Sequence, residues 1–228
     1  MVIVSGELLR LFFGYMNRFR TDLVSFKMEN KILSILLFNK ERTILMSLSQ
    51  KIDEDKKMEI TIETKDIVEL DSFYPEDSYE IEFDNASISF FIKNIQMDIR
   101  GSKKSIYTDH LKRFSEEKVF IKPKEDFYDF VKGAFSLNWK IIFMKEKNEL
   151  VAVSERDRTK MTYSFGEISD DIFIKVNPEY ILDVLQLLEH KDIEFGFKND
   201  EFPMSIIAKS GNVEVKAIVA PIVESLLR

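Results

Sequence analysis

The chain has 228 residues, 45% of them apolar and 32% charged, with a net charge of -7 and no cysteine. That length and apolar content sustain one large domain or two small ones, while the negative balance excludes a global basic field for nucleic acid. The missing cysteine excludes disulfides, thiol catalysis and thiolate-held metals.

The first residues, Met1 to Phe13, lack a basic start and a small-residue cleavage site, so no secretory signal is expected. No apolar run reaches the length of a membrane span, and an intracellular protein is expected. Seven glycines and five prolines leave little material for long flexible loops.

Apolar residues at helical spacing predict a first helix from Gly6, burying Leu8, Leu9, Phe12, Phe13, Met16 and Phe19. Period-two alternation then predicts strands over 23–28, 32–38, 43–48 and 58–62. A second helix starts at Thr64, a candidate N-cap, and buries Ile67, Leu70 and Phe73. Strands over 78–83, 87–92 and 96–100 follow. From Gly101 to Lys118 the periodicity fades and charges crowd, which predicts a linker.

The second half opens with a strand over 119–122 and a third helix near Glu125, burying Phe127, Phe130, Val131 and Phe135. Strands over 139–144, 149–154, 160–165 and 172–176 follow, with Trp139 expected in the core. Asn177 then caps a fourth helix with Pro178 in its first turn, burying Tyr180, Ile181, Val184, Leu185 and Leu188. Strands over 193–197, 204–208 and 214–219 close the chain.

The four helix starts, Gly6, Thr64, Glu125 and Pro178, are 58, 61 and 53 residues apart. One unit, a strand, a helix and several strands, therefore recurs four times. Helices on antiparallel sheet make an α+β fold in two halves, 1–102 and 119–228, joined by a connector over 103–118.

Sequence signals for catalysis are weak. His110 and His190 stand apart and in no metal-binding spacing, and no phosphate-binding glycine loop or nucleophile elbow is present. The acidic clusters Asp53-Glu54-Asp55, Glu116-Glu117 and Asp170-Asp171 fall in predicted turns or the linker. No catalytic residue, metal or cofactor is expected. A metal-dependent DNA-processing enzyme on another α+β fold is the reading from a different class.

The stretch from Val176 to Glu224 resembles the C-terminal end of the proliferating cell nuclear antigen (PCNA) family of DNA sliding clamps. It has a helix leading into a strand that ends in an acidic-Xaa-Pro-hydrophobic step, Glu201-Phe202-Pro203-Met204, and an Ala220-Pro221 step before Glu224. Val4-Ser5-Gly6 is similar to the family's start, and the two-by-two helix plan covers essentially the whole chain. The resemblance implies a DNA-clamp fold whose helices line a central hole and whose sheets form the rim.

It also implies a function without chemistry: a subunit that encircles duplex DNA irrespective of sequence, tethers DNA polymerase and other replication or repair enzymes, and raises processivity. Implied partners are clamp-binding proteins carrying short peptides, a clamp loader, and further clamp subunits in a trimeric ring, homomeric or heteromeric. The cytoplasm and nucleoid, or the nucleus, would house it.

Helical spacing gives solvent faces of Arg10, Gly14, Asn17 and Thr21; Lys65, Glu69 and Ser72; Glu125, Asp129, Lys132 and Ser136; and Glu179, Asp183, Gln186 and His190. These carry three basic residues against five acidic ones, where the family is clearly basic. The resemblance assigns Arg10, Asn17, Arg18, Arg20, Lys65 and Lys132 to the DNA side. The charge deficit suits either a loosely gripping clamp or a specialised repair or checkpoint subunit in a heteromeric ring.

The family's partner-peptide groove corresponds here to Phe38, Thr43 and Leu45, to Leu111 and Phe114 in the connector, and to Pro203, Ile218, Val219, Ala220 and Pro221. Leu111 and Phe114 stand out in a charged segment and could pin it to the body, admit a partner's side chains, or both. Ring-closing edge strands are expected near 89–99 and 160–165.

Overall fold

A computed structural model describes residues 1–39, 44–67, 77–102, 119–188, 192–198 and 203–222. Ser5, in extended backbone, caps the first helix by accepting the amide of Leu8 at 3.3 Å. It links strand β1 (Val2–Ser5), a strand the sequence pattern missed, to helix α1 (Gly6–Arg18). The helix ends at Phe19, and Arg20 takes a left-handed conformation at φ 47° that turns the chain into the next strand.

Strands β2 (Thr21–Glu29), β3 (Ile32–Asn39), β4 (Ile44–Lys51) and β5 (Met58–Glu63) follow, then β6 (Ser78–Phe83), β7 (Ser87–Ile92) and β8 (Ile95–Arg100). The second half holds β9 (Val119–Ile121), helix α2 (Phe127–Ser136), β10 (Ile141–Glu146), β11 (Glu149–Arg156) and β12 (Thr159–Glu167). It continues with β13 (Phe173–Val176), helix α3 (Pro178–Leu187), β14 (Ile193–Phe197), β15 (Met204–Ser210) and β16 (Val213–Val219). Among the described residues a strand, a helix and three strands recur three times of the four that the spacing predicts.

The chain forms two compact units, Met1–Thr108 with Lys209–Lys216, and Asp109–Ala208 with Ala217–Arg228. In the first unit, antiparallel pairing orders one sheet β1-β6-β7-β8 and a second run β5-β2-β3-β4. Three phenylalanines join them to the helix. Phe12 of α1 lies 5.5 Å from Phe26 of β2 and 6.3 Å from Phe90 of β7, and Phe26 meets Phe90 edge-on at 5.7 Å. All three are fully buried.

The second unit repeats this plan. One antiparallel sheet is ordered β12-β11-β10-β13, and β9, β14 and β15 run side by side. Phe127 of α2 is the hub, 5.0 Å from Tyr163 and 5.2 Å from both Phe165 and Phe195. Burial of the Tyr163 ring, against the amide of Lys124 that donates to its oxygen at 2.8 Å, raises its phenol pKa.

Several expectations change. Thr64–Asp66 make a single 3-10 turn, and the Thr64 hydroxyl donates to the carbonyl of Thr21 instead of capping an α-helix. The rest of the second predicted helix, including Leu70 and Phe73, lies outside the described residues. Phe135 is 45% exposed because α2 buries Phe127, Val131 and Ala134, a stripe that Phe135 flanks. Phe130 and Tyr180 are half-buried for the same reason. Trp139 precedes β10 and is half-buried, its amide spent on the carbonyl of Ala134 at the end of α2. Thr21 is a buried strand residue whose hydroxyl donates to Met16.

These burial differences are testable. Phe127→Ala is expected to destabilise the protein by about 3–5 kcal/mol. Phe135→Ala is expected to cost less than about 1 kcal/mol. Urea denaturation of the two variants checks the contrast.

Candidate nucleic-acid and peptide interfaces

The candidate DNA-side residues of the first unit lie along α1 and just beyond it. Arg10 points its guanidinium at Glu7, one turn earlier, in a bidentate pair with both hydrogen bonds at 2.7 Å. Glu7 is buried, and the Ser210 hydroxyl also donates to it. A buried carboxylate in the first helical turn is favoured by the helix dipole, but it needs a counter-charge. Arg10 supplies it, so its charge is committed within the protein. Sequence reasoning missed this role, although the Glu7–Arg10 spacing of three residues signals it.

Asn17, Arg18 and Arg20 are exposed at the C-terminal end of α1. Cations there complement the negative end of the dipole and stay accessible. Lys65 is exposed and pairs with Glu63 at 2.7 Å, a surface pair of small strength.

In the second unit, helices α2 and α3 pack together, and Gln186 donates to the Tyr128 hydroxyl at 3.4 Å. Asn177 caps α3 by accepting the amide of Glu179, as expected from its place before Pro178. Lys132, Glu125, Asp129 and Ser136 are exposed around α2, as are Glu179 and Gln186 on α3; Asp183 is half-buried. His190 and Glu69 lie outside the described residues.

Register assembles the groove candidates of the first unit. Phe38 of β3 stands opposite Leu45 of β4 and Leu23 of β2. Leu36, two residues before Phe38, shares that face by strand alternation. The sequence pattern did not single out Leu23, because only pairing shows that it shares a row with Phe38. Phe38 is half-buried and Leu45 is 5% exposed.

In the second unit, Pro203, Ala220 and Pro221 are half-buried, Ile218 is nearly buried and Val219 fully buried. Ile218 and Val219 are adjacent in a strand and so face opposite sides. The amide of Ile222 donates to Lys175 at 2.7 Å, fixing the chain just after Pro221. Thr43, Leu111 and Phe114 lie outside the described residues.

Among the described residues no group of three or more His, Asp or Glu side chains could hold a metal ion. Of the acidic clusters, Glu54 pairs with Lys56 and Asp171 with Lys145, while Glu116-Glu117 lies outside the described residues. No helix among them is long and apolar enough to cross a membrane.

No family sequence model and no curated protein sequence matches the chain. Solved structures do. The PCNA2–PCNA3 complex of Sulfolobus tokodaii is 16% identical, with 96% of this chain and 98% of that chain covered at a TM-score of 0.72. A. fulgidus PCNA, solved with the C-terminal region of FEN-1, is 14% identical, with 99% and 100% covered at 0.74. The DNA polymerase III beta subunit of Thermotoga maritima is 17% identical, with 98% of this chain but only 65% of that chain covered, at 0.73.

The Arg10–Glu7 pairing carries a stability expectation. Arg10→Ala leaves a buried carboxylate without its cation and is expected to cost about 1–3 kcal/mol, read from the shift in urea midpoint. Arg18→Ala, at an exposed position, is expected to stay within about 0.5 kcal/mol of the parent.

Two units of helix-backed antiparallel sheet, matched over nearly the full chain by PCNA and beta-subunit structures, give this protein the fold of a divergent DNA sliding clamp.

Proposed function

We propose that the chain is a sliding-clamp subunit that encircles duplex DNA without sequence preference and tethers DNA polymerase and other replication or repair enzymes as a processivity factor. The observation that carries this reading is the full-length match of fold to PCNA structures, together with two sheet edges, β8 and β12, paired on one side only among the described residues. Residues 1–102 and 119–228 form its two clamp domains, and 103–118 connect them. The clamp is not a catalyst; it works inside the cell, with a loader and further subunits completing a ring.

Duplex DNA passes the helix faces. With Arg10 held by Glu7, phosphate contact rests mainly on Asn17, Arg18 and Arg20, with Lys65 and Lys132 contributing. A ring retains DNA by topology, so a sparse basic face suffices. Partner enzymes dock short peptides against Phe38, Thr43 and Leu45, the connector residues Leu111 and Phe114, and the segment Pro203, Ile218, Val219, Ala220 and Pro221.

Retention on nicked circular DNA in high salt, followed by release when the circle is linearised, tests the reading. Equal release from both forms would refute it. The assignment of phosphate-binding residues predicts a further outcome in low salt. Arg18→Ala with Arg20→Ala should flatten the dependence of log affinity on log salt by about 0.9 for each phosphate no longer neutralised. Arg10→Ala should leave that slope unchanged.

A further inference from the structure

The start of β3 and the end of β4 face the turn between β15 and β16 across a cavity of about 450 Å³. Its walls all belong to the first unit. Asn30 and Lys31, left-handed at φ 55° and 58°, lead into β3. The amide of Ile52, just past β4, bonds to the Lys31 carbonyl at 3.0 Å. Gly211, at φ 58°, makes the tight turn opposite. Ser34 and Ser49 lie four residues along their strands from the Phe38–Leu45 pair, about 13 Å, so the cavity is separate from those groove candidates.

The walls are rich in hydrogen-bond donors. Ser34 stands opposite Ser49, and their hydroxyls are 3.1 Å apart. Lys51 is exposed and makes no ion pair among the described residues. Lys209 meets Glu214 at 3.5 Å, an exposed pair of small strength. Two ammonium groups against one carboxylate make the cavity locally positive in a chain of net charge -7. Gln50 is only 6% exposed. Its Oε1 accepts the Ser5 amide at 3.0 Å and the Ser5 hydroxyl at 2.8 Å, which assigns the orientation of the carboxamide. Its Nε2 donates to no described group. A buried N–H without an acceptor is costly, and Gln50 lines the cavity, where an acceptor can sit.

We propose that this cavity binds a small phosphate monoester with a hydroxylated body, such as a sugar phosphate. Lys51, the Ser34 and Ser49 hydroxyls and Gln50 Nε2 offer the phosphate one cation and several donors, with no carboxylate among them. Asn212 and Glu214 on the opposite side suit the hydroxyls of the body, and Ile32, 39% exposed, gives it an apolar wall. The volume suits an organic ligand better than a bare ion, since such sites run from about 300 to 1,000 Å³. A monoester carries about two negative charges at neutral pH, which suits two lysines better than a single carboxylate does. The site uses neither the helix faces nor a ring, so it stands apart from the clamp reading.

Titration calorimetry of the full chain with ribose phosphate (the primary monoester), inorganic phosphate and ribose tests it, with circular dichroism confirming that each variant is folded. Ribose phosphate should bind saturably, inorganic phosphate about tenfold more weakly, and ribose not measurably. Lys51→Ala, at an exposed position, should weaken the ester about tenfold. Gln50→Glu keeps the acceptor for Ser5 but puts a carboxylate oxygen in place of Nε2, and should abolish binding. Lys56→Ala, whose side chain pairs with Glu54 and does not line the cavity, should leave binding unchanged. Four outcomes would each overturn the site: no saturable binding of ribose phosphate at millimolar concentration, equal affinity for inorganic phosphate or ribose, affinity unmoved by Lys51→Ala and Gln50→Glu, or as great a loss in Lys56→Ala as in Lys51→Ala.

Discussion

An antiparallel sheet ends in backbone amides and carbonyls that need partners, and among the described residues β8 and β12 are two such ends paired on one side only. Strand β8 in the first unit and β12 in the second, which bulges at Phe165, have six and nine residues and no proline. A monomer built this way is prone to uncontrolled pairing. Joining one edge to the other uses both at once, and in a closed ring none remains.

The rest of the fold packs each sheet against a helix. In each unit an aromatic residue of a helix, Phe12 midway along α1 and Phe127 at the start of α2, reaches both layers of strands: Phe12 touches Phe26 and Phe90, and Phe127 touches Tyr163 and Phe195. Close-packed aromatic rings fix the angle at which each sheet meets its helix.

Electrostatics divide the basic residues by role. Arg10, a candidate for phosphate contact, neutralises Glu7, and Ser210 completes the same polar cluster. Arg18 and Arg20 sit at the exposed end of the helix. Retention by topology would tolerate this economy, because a ring that cannot come off needs no tight grip. The sparse basic face and the closable edges therefore fit one another within the proposed function.

Much of this architecture is legible in the sequence. The strands over 78–83, 87–92 and 193–197 coincide with the predicted ones, because alternation there is clean and turns bound both ends. Asn177-Pro178 marks the start of α3 for an equally local reason. Misreadings arise where hydrophobicity and position disagree: Phe135 is aromatic but off the buried stripe, and Thr21 follows the helical spacing after the helix has ended. Strand pairing is not local, so the sequence alone does not show that Leu23 shares a row with Phe38, or that β8 rather than β7 is the edge. The Glu7–Arg10 pair is visible as spacing, but its burial depends on the tertiary fold.

The absence of cysteine permits a direct test of closure. A chain with Asp98→Cys on β8 and Lys160→Cys on β12, assembled in the presence of nicked circular DNA and then oxidised, can form disulfides only at those two positions. The account predicts that a covalently closed protein ring stays with the circle through denaturing detergent and is released when the DNA is linearised. Release from circular DNA in detergent despite complete disulfide formation would contradict it.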